Sequence, residues 1–285
     1  MNGILIINKP KGYTSHDVVN VLRKELNTKK IGHTGTLDPN ATGVLPILVG
    51  HATKISKYLI EHDKTYIAEL KLGEKSSTGD IEGEIIEKKD VPNLTIGNIQ
   101  EVLKSFIGKQ LQTPPIYSSI KINGKKAYEY ARKGEQIEIP PREIDIMNIS
   151  LMKFEKDTIT FEVSCSKGTY IRVLCEDIAE KLGTVGLMSN LTRTRVDEFD
   201  IKDSYTLEEV KNKQNIALLS IEEIFNTIPN INLNNRKTEL FLNGVKLSVE
   251  LKDDIYRIYN KNTFLGLGIV QDNLLKRDII IINDI

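Results

Sequence analysis

Gly32-His33-Thr34-Gly35-Thr36-Leu37-Asp38-Pro39-Asn40-Ala41-Thr42-Gly43-Val44-Leu45-Pro46 decides how the rest of this 285-residue chain is read. The stretch is too rich in Gly, Pro, Thr and Asn for a helix or a strand interior, so it reads as a loop. Pro39 pushes Asp38 toward an extended backbone and removes the next amide donor. Asp38 is the one acid between Glu25 and Glu61. Ile31, Leu37, Val44, Leu45 and Ile47 are apolar enough to anchor both ends in a core. A single carboxylate on a stiff, anchored loop is a common way to hold a reactive group, although Asp-Pro by itself is an ordinary turn.

Bulk properties narrow the options without choosing among them. The composition is 40% hydrophobic and 27% charged, as in an ordinary globular protein, and formal net charge is zero. The charge is unevenly spread. Residues 1–60 carry eight Lys/Arg against three Asp/Glu, residues 101–135 seven against three, and residues 196–285 eleven against fifteen. Two basic segments far apart in sequence can fold into one phosphate-facing surface. Cys165 and Cys175 fit no CxxC metal or redox spacing and sit in apolar segments, so buried free thiols are expected. No apolar run is long enough for a bilayer, and the first residues do not read as a signal peptide. A cytoplasmic protein with no membrane association is the expectation.

Outward from the central stretch, Ile4–Ile7 reads as a strand, followed by the loop Lys9-Pro10-Lys11-Gly12-Tyr13-Thr14-Ser15. This loop lacks the GxxxxGK[ST] pattern of a P-loop, which argues against a nucleoside triphosphatase. Val18, Val19, Leu22 and Leu26 predict a helix, and residues 51–61 predict another with Ile55, Tyr58 and Leu59 on one face. Lys64–Gly73 alternates as a strand. Ser76-Ser77-Thr78-Gly79-Asp80-Ile81-Glu82-Gly83 is a polar loop before a strand at Glu84–Glu87. Residues 96–107 predict a helix. An Asn123-Gly124 turn leads into a basic, tyrosine-bearing helix, Lys125 to Gly134. Residues 143–166 read as two strands, and Ser166-Lys167-Gly168-Thr169-Tyr170-Ile171-Arg172 opens a helix that ends near Gly183. Past Pro229, short strands and turns follow, with a final apolar run at Ile279–Ile282.

Four of these stretches together resemble the TruB family of tRNA pseudouridine-55 synthases. The central stretch is similar to the family's GHTGTLDPxATGVLP signature, Lys9–Ser15 to KPxGxTS, Lys64–Tyr66 to KxY, and Ser166–Arg172 to CSKGTYIR. The resemblance implies an α+β fold. Its catalytic domain, on a mixed, largely antiparallel sheet, would span residues 1–225, with an RNA-clamping insertion near 112–142. A small PUA-like β-domain would span 226–285. It implies isomerisation of uridine 55 in the TΨC arm of tRNA, with no cofactor, no metal, no required protein partner, and a monomer. Asp38 would be the catalytic carboxylate and Arg172 its counter-ion. Tyr66 would stack on the flipped base, Leu191 would form a pocket wall, and His33 would enter the space the base has left. Tyr170 would support the pocket or assist removal of the C5 proton, and Lys9 would sit beside the site. Asp80, Lys125, Lys126 and Arg132 would contact RNA. Attack at C1′, attack at C6, and C2′ deprotonation to a glycal all stay open. A tRNA folding factor with catalysis secondary is the alternative from another class. A nucleoside or glycoside hydrolase ranks lower, because most such enzymes need two flanking carboxylates.

Overall fold

The computed structural model describes residues 1–60, 62–135, 137–213 and 216–281. The first half of the chain contributes strands β1 Gly3–Lys9, β2 Ile31–His33, β3 Thr42–Val49, β4 Lys64–Leu72, β5 Glu74–Ser76, β6 Ile85–Lys88, β7 Gly108–Gln112, β8 Lys121–Ile122 and β9 Lys125–Lys126. The second half contributes β10 Arg142–Glu155, β11 Thr158–Cys165, β12 Gly186–Val196, β13 Phe199–Asp200, β14 Asn230–Asn232, β15 Leu247–Ser248, β16 Asp254–Asn260, β17 Thr263–Gln271 and β18 Leu274–Ile280. Helices α1 Ser15–Glu25, α2 Ser56–Leu59, α3 Ile96–Lys104, α4 Ala127–Ala131, α5 Ile171–Lys181, α6 Leu207–Lys211, α7 Ile221–Ile224 and α8 Asn235–Leu242 lie between them.

A nine-stranded sheet in the order β1-β3-β12-β4-β11-β10-β7, with β2 on β3 and β13 on β12, forms the body of the molecule. Every pairing is antiparallel except β3 with β12, where Thr42 and Gly43 lie opposite Thr192 and Arg193. This is the mixed, largely antiparallel sheet that the family resemblance implies.

Alternation explains what the sheet packs against. Ile4 and Ile6 of β1 point to one face, and Leu5 and Ile7 to the other. Helices α1 and α6 cover the second face through Val18, Val19, Leu22, Leu207 and Val210. Tyr66, Ala68, Leu70 and Leu72 of β4 pack beside Ile159, Phe161 and Val163 of β11, under α3 and α5. Cys165 and Cys175 are free and buried within this cluster, and burial pushes the Cys165 thiol up to about 12.

The first face of β1 is covered from the far end of the chain. Leu267 of β17 and Ile279 of β18 join Ile4, Ile6, Val44 and Phe225 in one cluster. Asp278 accepts from both the Lys57 ammonium and the Tyr58 hydroxyl across this seam. The five-stranded sheet β14-β16-β17-β18-β15 is thus tied to the nine-stranded one by a shared core.

Three sequence expectations are corrected. The second part of the central stretch is not loop: Thr42–Pro46 lies in β3, flanked on both sides by paired strands. Burial wins over local propensity there, and Pro46 still accepts from the Thr34 amide at 3.1 Å. Residues 51–60 are not one α-helix but a 3-10 stretch, Gly50–Ile55, followed by the single turn of α2. The C-terminal region holds a helix, α8, that its polar sequence concealed. Asn234 caps it by accepting from the Lys237 amide at 2.9 Å, and Phe241 anchors it in the core. The last part of the Ile279–Ile282 run lies outside the described residues.

Gly43 shows how tightly β3 meets β12. Its φ is +104°, and an added Cβ would stand 2.1 Å from the Arg193 carbonyl oxygen. That atom is backbone in a central strand and has no room to move. Gly43→Ala is expected to destabilise the fold by about 3–5 kcal/mol. Thermal unfolding would show it as a drop in Tm of roughly 10 °C.

Candidate active site

Asp38 stands on the loop between β2 and β3, held from below by the loop that leads into α1. Ser15, at the start of α1, accepts from the Leu37 amide at 2.9 Å and donates to the Leu37 carbonyl at 3.3 Å. The Gly12 amide donates to Pro39 O at 2.9 Å, and the Ala41 amide closes a turn on Asp38 O at 3.1 Å. Lys9 is fully buried and donates to the carbonyls of Pro10, Tyr13 and Pro39 at 3.0, 2.6 and 3.0 Å. It therefore clasps the Asp38 loop from behind and does not open onto the cleft. Asp38 itself stays 41% exposed at its side chain, where a substrate can reach it.

Arg172 faces Asp38 from the first turn of α5. Its Nε lies 3.1 Å from Asp38 Oδ2 and 3.8 Å from Asp80 Oδ2. Its Nη1 donates to Thr78 O at 3.0 Å and its Nη2 to Tyr117 O at 2.9 Å. One planar fork thus joins the carboxylate loop, the 76–83 loop and the start of the 112–142 segment. Arg172 and Asp38 form an ion pair. Asp80 turns inward: Oδ1 accepts from Thr78 Oγ1 at 2.5 Å and from the Glu82 amide at 3.1 Å, while Oδ2 faces Arg172. With its side chain 14% exposed, Asp80 braces Arg172.

Leu191 of β12 lines a narrow cleft with Asp38, Ala41, Asp80 and Met188. Tyr66 of β4 is buried in the core cluster that also holds Leu37, Ala41 and Leu191. Burial pushes its phenol up. Tyr170 is the residue before α5, its amide donating to Gln112 Oε1 at 2.8 Å and its carbonyl accepting from Gln112 Nε2 at 3.1 Å. Burial raises its phenol as well. His33 ends β2 half-buried, with Nδ1 lacking a hydrogen-bond partner, and burial lowers the pKa of its imidazole.

Lys125, Lys126 and Arg132 belong to a hairpin and short helix away from the carboxylate. Asn123 and Gly124 have φ values of +50° and +82°, as a tight hairpin turn demands. Lys126 and Arg132 pack over the Tyr128 ring at 5.4 and 5.2 Å, and Lys125 over Tyr130 at 5.8 Å. Cations laid on half-buried tyrosines form a surface suited to stacked bases and phosphates. The Arg172–Tyr117 bond links this segment to the site.

Sequence reasoning passed over Arg193. It is 1% exposed, with Nε donating to Val44 O at 2.7 Å and Nη2 to Gly35 O at 2.9 Å. The signal was period two: in β12, Arg193 shares a face with Leu191. Gln112, which brackets Tyr170, carried no signal at all.

Comparison with known proteins agrees with this geometry. A crystal structure of a Cbf5–Nop10–Gar1 complex matches with TM-score 0.70 and 25% identity, covering 99% of this chain and 84% of that one. An H/ACA RNP bound to a substrate RNA containing 2′-deoxyuridine matches with TM-score 0.71 at 23% identity, a likeness of fold, over 99% of this chain and 86% of that one. The structures show the fold, and the family models and relatives define the class, that of pseudouridine synthases, isomerases that act on RNA. The family model for the N-terminal domain of TruB family pseudouridylate synthases matches residues 23–171, and that for the tRNA pseudouridylate synthase B C-terminal domain matches 172–224. Relatives described as tRNA pseudouridine synthase B include one from Caldanaerobacter subterraneus subsp. tengcongensis, 43% identical over 97% of this chain and 98% of its own. Another, from Alkaliphilus oremlandii, is 46% identical over 95% of this chain and 94% of its own. The chain belongs to the TruB family and is a tRNA-modifying isomerase.

The buried Lys9 supplies a pH test of the loop clasp. Burial lowers its pKa from 10.5 to about 8. Between about pH 8 and 10.5 the unfolded chain then binds more protons at this position than the folded one, so this group's contribution to stability rises with pH. The stability of wild type relative to Lys9→Met is expected to increase across that window in urea unfolding. The same variant should lose about tenfold in turnover as the Asp38 loop loosens.

Proposed function

We propose that this enzyme isomerises uridine 55 in the TΨC arm of tRNA, with Asp38 as the catalytic carboxylate. The observation that carries the reading is the Arg172–Asp38 ion pair at the mouth of the cleft that Leu191 lines. The reaction breaks the N-glycosidic bond, turns the base and rejoins it through C5. It therefore needs a carboxylate held in place, a dry pocket and a flipped base. Arg172 fixes one carboxylate oxygen of Asp38 and leaves the other free to act at the sugar or the base. Tyr66 stacks on the flipped uracil, Leu191 walls the pocket, and Tyr170 supports it from the start of α5. His33 enters the loop from which the base has left, and Lys125, Lys126 and Arg132 hold the RNA from the insertion. We divide the chain into a catalytic domain, 1–225, and a small PUA-like RNA-binding domain, 226–285. A cytoplasmic monomer acting without a protein partner completes the proposal.

The experiment is carbodiimide mapping of pseudouridine on an unmodified tRNA transcript after incubation with the enzyme. A reverse-transcription stop that reports position 55, absent when that uridine is replaced by cytidine, is the expected result. Pseudouridine elsewhere, with position 55 untouched, would overturn the site assignment while leaving the class of reaction intact.

A further inference from the structure

Arg193 heads the large side chains that are fully buried, and its position is chemically expensive. The acids of the site, Asp38 and Asp80, face Arg172 instead. Burial accordingly lowers the pKa of the Arg193 guanidinium. A buried cation without a carboxylate is tolerated only when its donors are well used, and an apolar side chain of similar size would fill the same space more favourably. Two bonds of Arg193 go to the backbone around the Asp38 loop. Nε and Nη2 hold Val44 O and Gly35 O, on the two sides of Asp38 in sequence. Gly35 has a φ of +72°, and an added Cβ there would meet Nη1 at 3.3 Å, so the guanidinium packs directly against the loop. Arg193 also lies directly opposite Tyr66 in the pairing of β12 with β4, so the two side chains stand side by side on one face of the sheet.

We propose that Arg193 is a positioning residue for the isomerisation, fixing the Tyr66 hydroxyl in register with the Asp38 loop from behind the pocket. The inference rests on the reading of Asp38 and Tyr66 as site residues. A guanidinium N–H turned to the phenol oxygen would direct the Tyr66 proton away from Arg193. The ring is then held in one plane for the flipped base to stack on. A lysine keeps the charge but cannot reach Val44 O, Gly35 O and Tyr66 at once.

The test is a double-mutant cycle with Arg193→Lys and Tyr66→Phe, read as kcat and KM for C5 tritium release from tRNA. Rates are normalised to the fraction of enzyme that binds tRNA, so that partial misfolding does not count as a catalytic effect. Arg193→Lys is expected to lower kcat about 30-fold with KM within about threefold, and the double variant to fall no further than the worse single one. An Arg193 that merely supports the fold would lower Tm and the active fraction, leave kcat at the wild-type value, and combine additively with Tyr66→Phe. Either of the last two results overturns the proposal. Asp38→Asn runs beside the cycle. If it turns over, the reading of the site itself fails; if it is inert while Arg193→Lys keeps full kcat, only the role of Arg193 fails.

Discussion

Asp38→Asn is expected to lower tritium release from C5-labelled tRNA by at least about 10³-fold, while tRNA affinity stays within about tenfold of wild type. The substitution changes almost nothing but the charge. Asn is nearly isosteric with Asp, and its amide oxygen can still accept from Arg172 Nε, which lies 3.1 Å from the present carboxylate oxygen. The side chain is 41% exposed, so no core packing is lost. Arg172 also keeps Asp80 and the carbonyls of Thr78 and Tyr117. Stability should therefore move by less than about 1 kcal/mol. Attack at C1′, attack at C6 and removal of the C2′ proton all require an ionised carboxylate, and an amide does none of them. On the proposed reading, binding draws on the basic, tyrosine-lined segment around Lys125, Lys126 and Arg132, which the substitution does not touch. Turnover that survives in Asp38→Asn would remove Asp38 from the chemistry. A loss of binding as large as the loss of turnover would make its role one of recognition.

Arg172→Lys is expected to reduce kcat about 10²- to 10³-fold and to raise KM as well. Three segments converge on the guanidinium, and an ammonium on a flexible stem cannot reproduce its planar fork. A lysine that reaches Asp38 abandons Thr78 O or Tyr117 O, and those carbonyls then lose a charged donor in a partly buried setting. The carboxylate loses its fixed orientation, which acts on kcat. The 112–142 segment loses its tie to the site, which acts on KM. Steady-state kinetics on a tRNA stem-loop, with thermal unfolding alongside, separates the two effects from a general loss of fold. A kcat close to wild type in Arg172→Lys would show that charge alone suffices at this position. The carboxyl pair would then be no more than an electrostatic contact.

How much of this was legible in the sequence differs from residue to residue. Asp38 was legible because its loop is bounded by residues with narrow backbone preferences, and Arg172 because it lies in a motif of known neighbours. Their pairing across the cleft followed from the family resemblance and is met by the geometry. The bonds that Lys9 makes, and Arg193 altogether, were hidden for a common reason. A long cation in an otherwise ordinary segment reads as a solvated side chain, and only the completed sheet shows that carbonyls of the Asp38 loop and its flanks consume its donors. For Asp80 the sequence shows a carboxylate in a polar loop, not that it turns toward Arg172. Strand β3 was read as loop because Gly43 and Pro46 are poor strand residues by themselves. What places them there is the close approach of β12 and an apolar environment on both faces. Helix α8 was concealed because only Phe241 marks its buried side.

The cluster that unites Ile4 and Ile6 with Leu267 and Ile279 also couples the two sheets mechanically. Val44, Ala52, Ile55 and Phe225 share in covering that face of the first strand, and the five-stranded sheet closes against it from outside. A displacement of β17 or β18 is therefore passed to β1, whose last residue is the Lys9 that clasps the Asp38 loop.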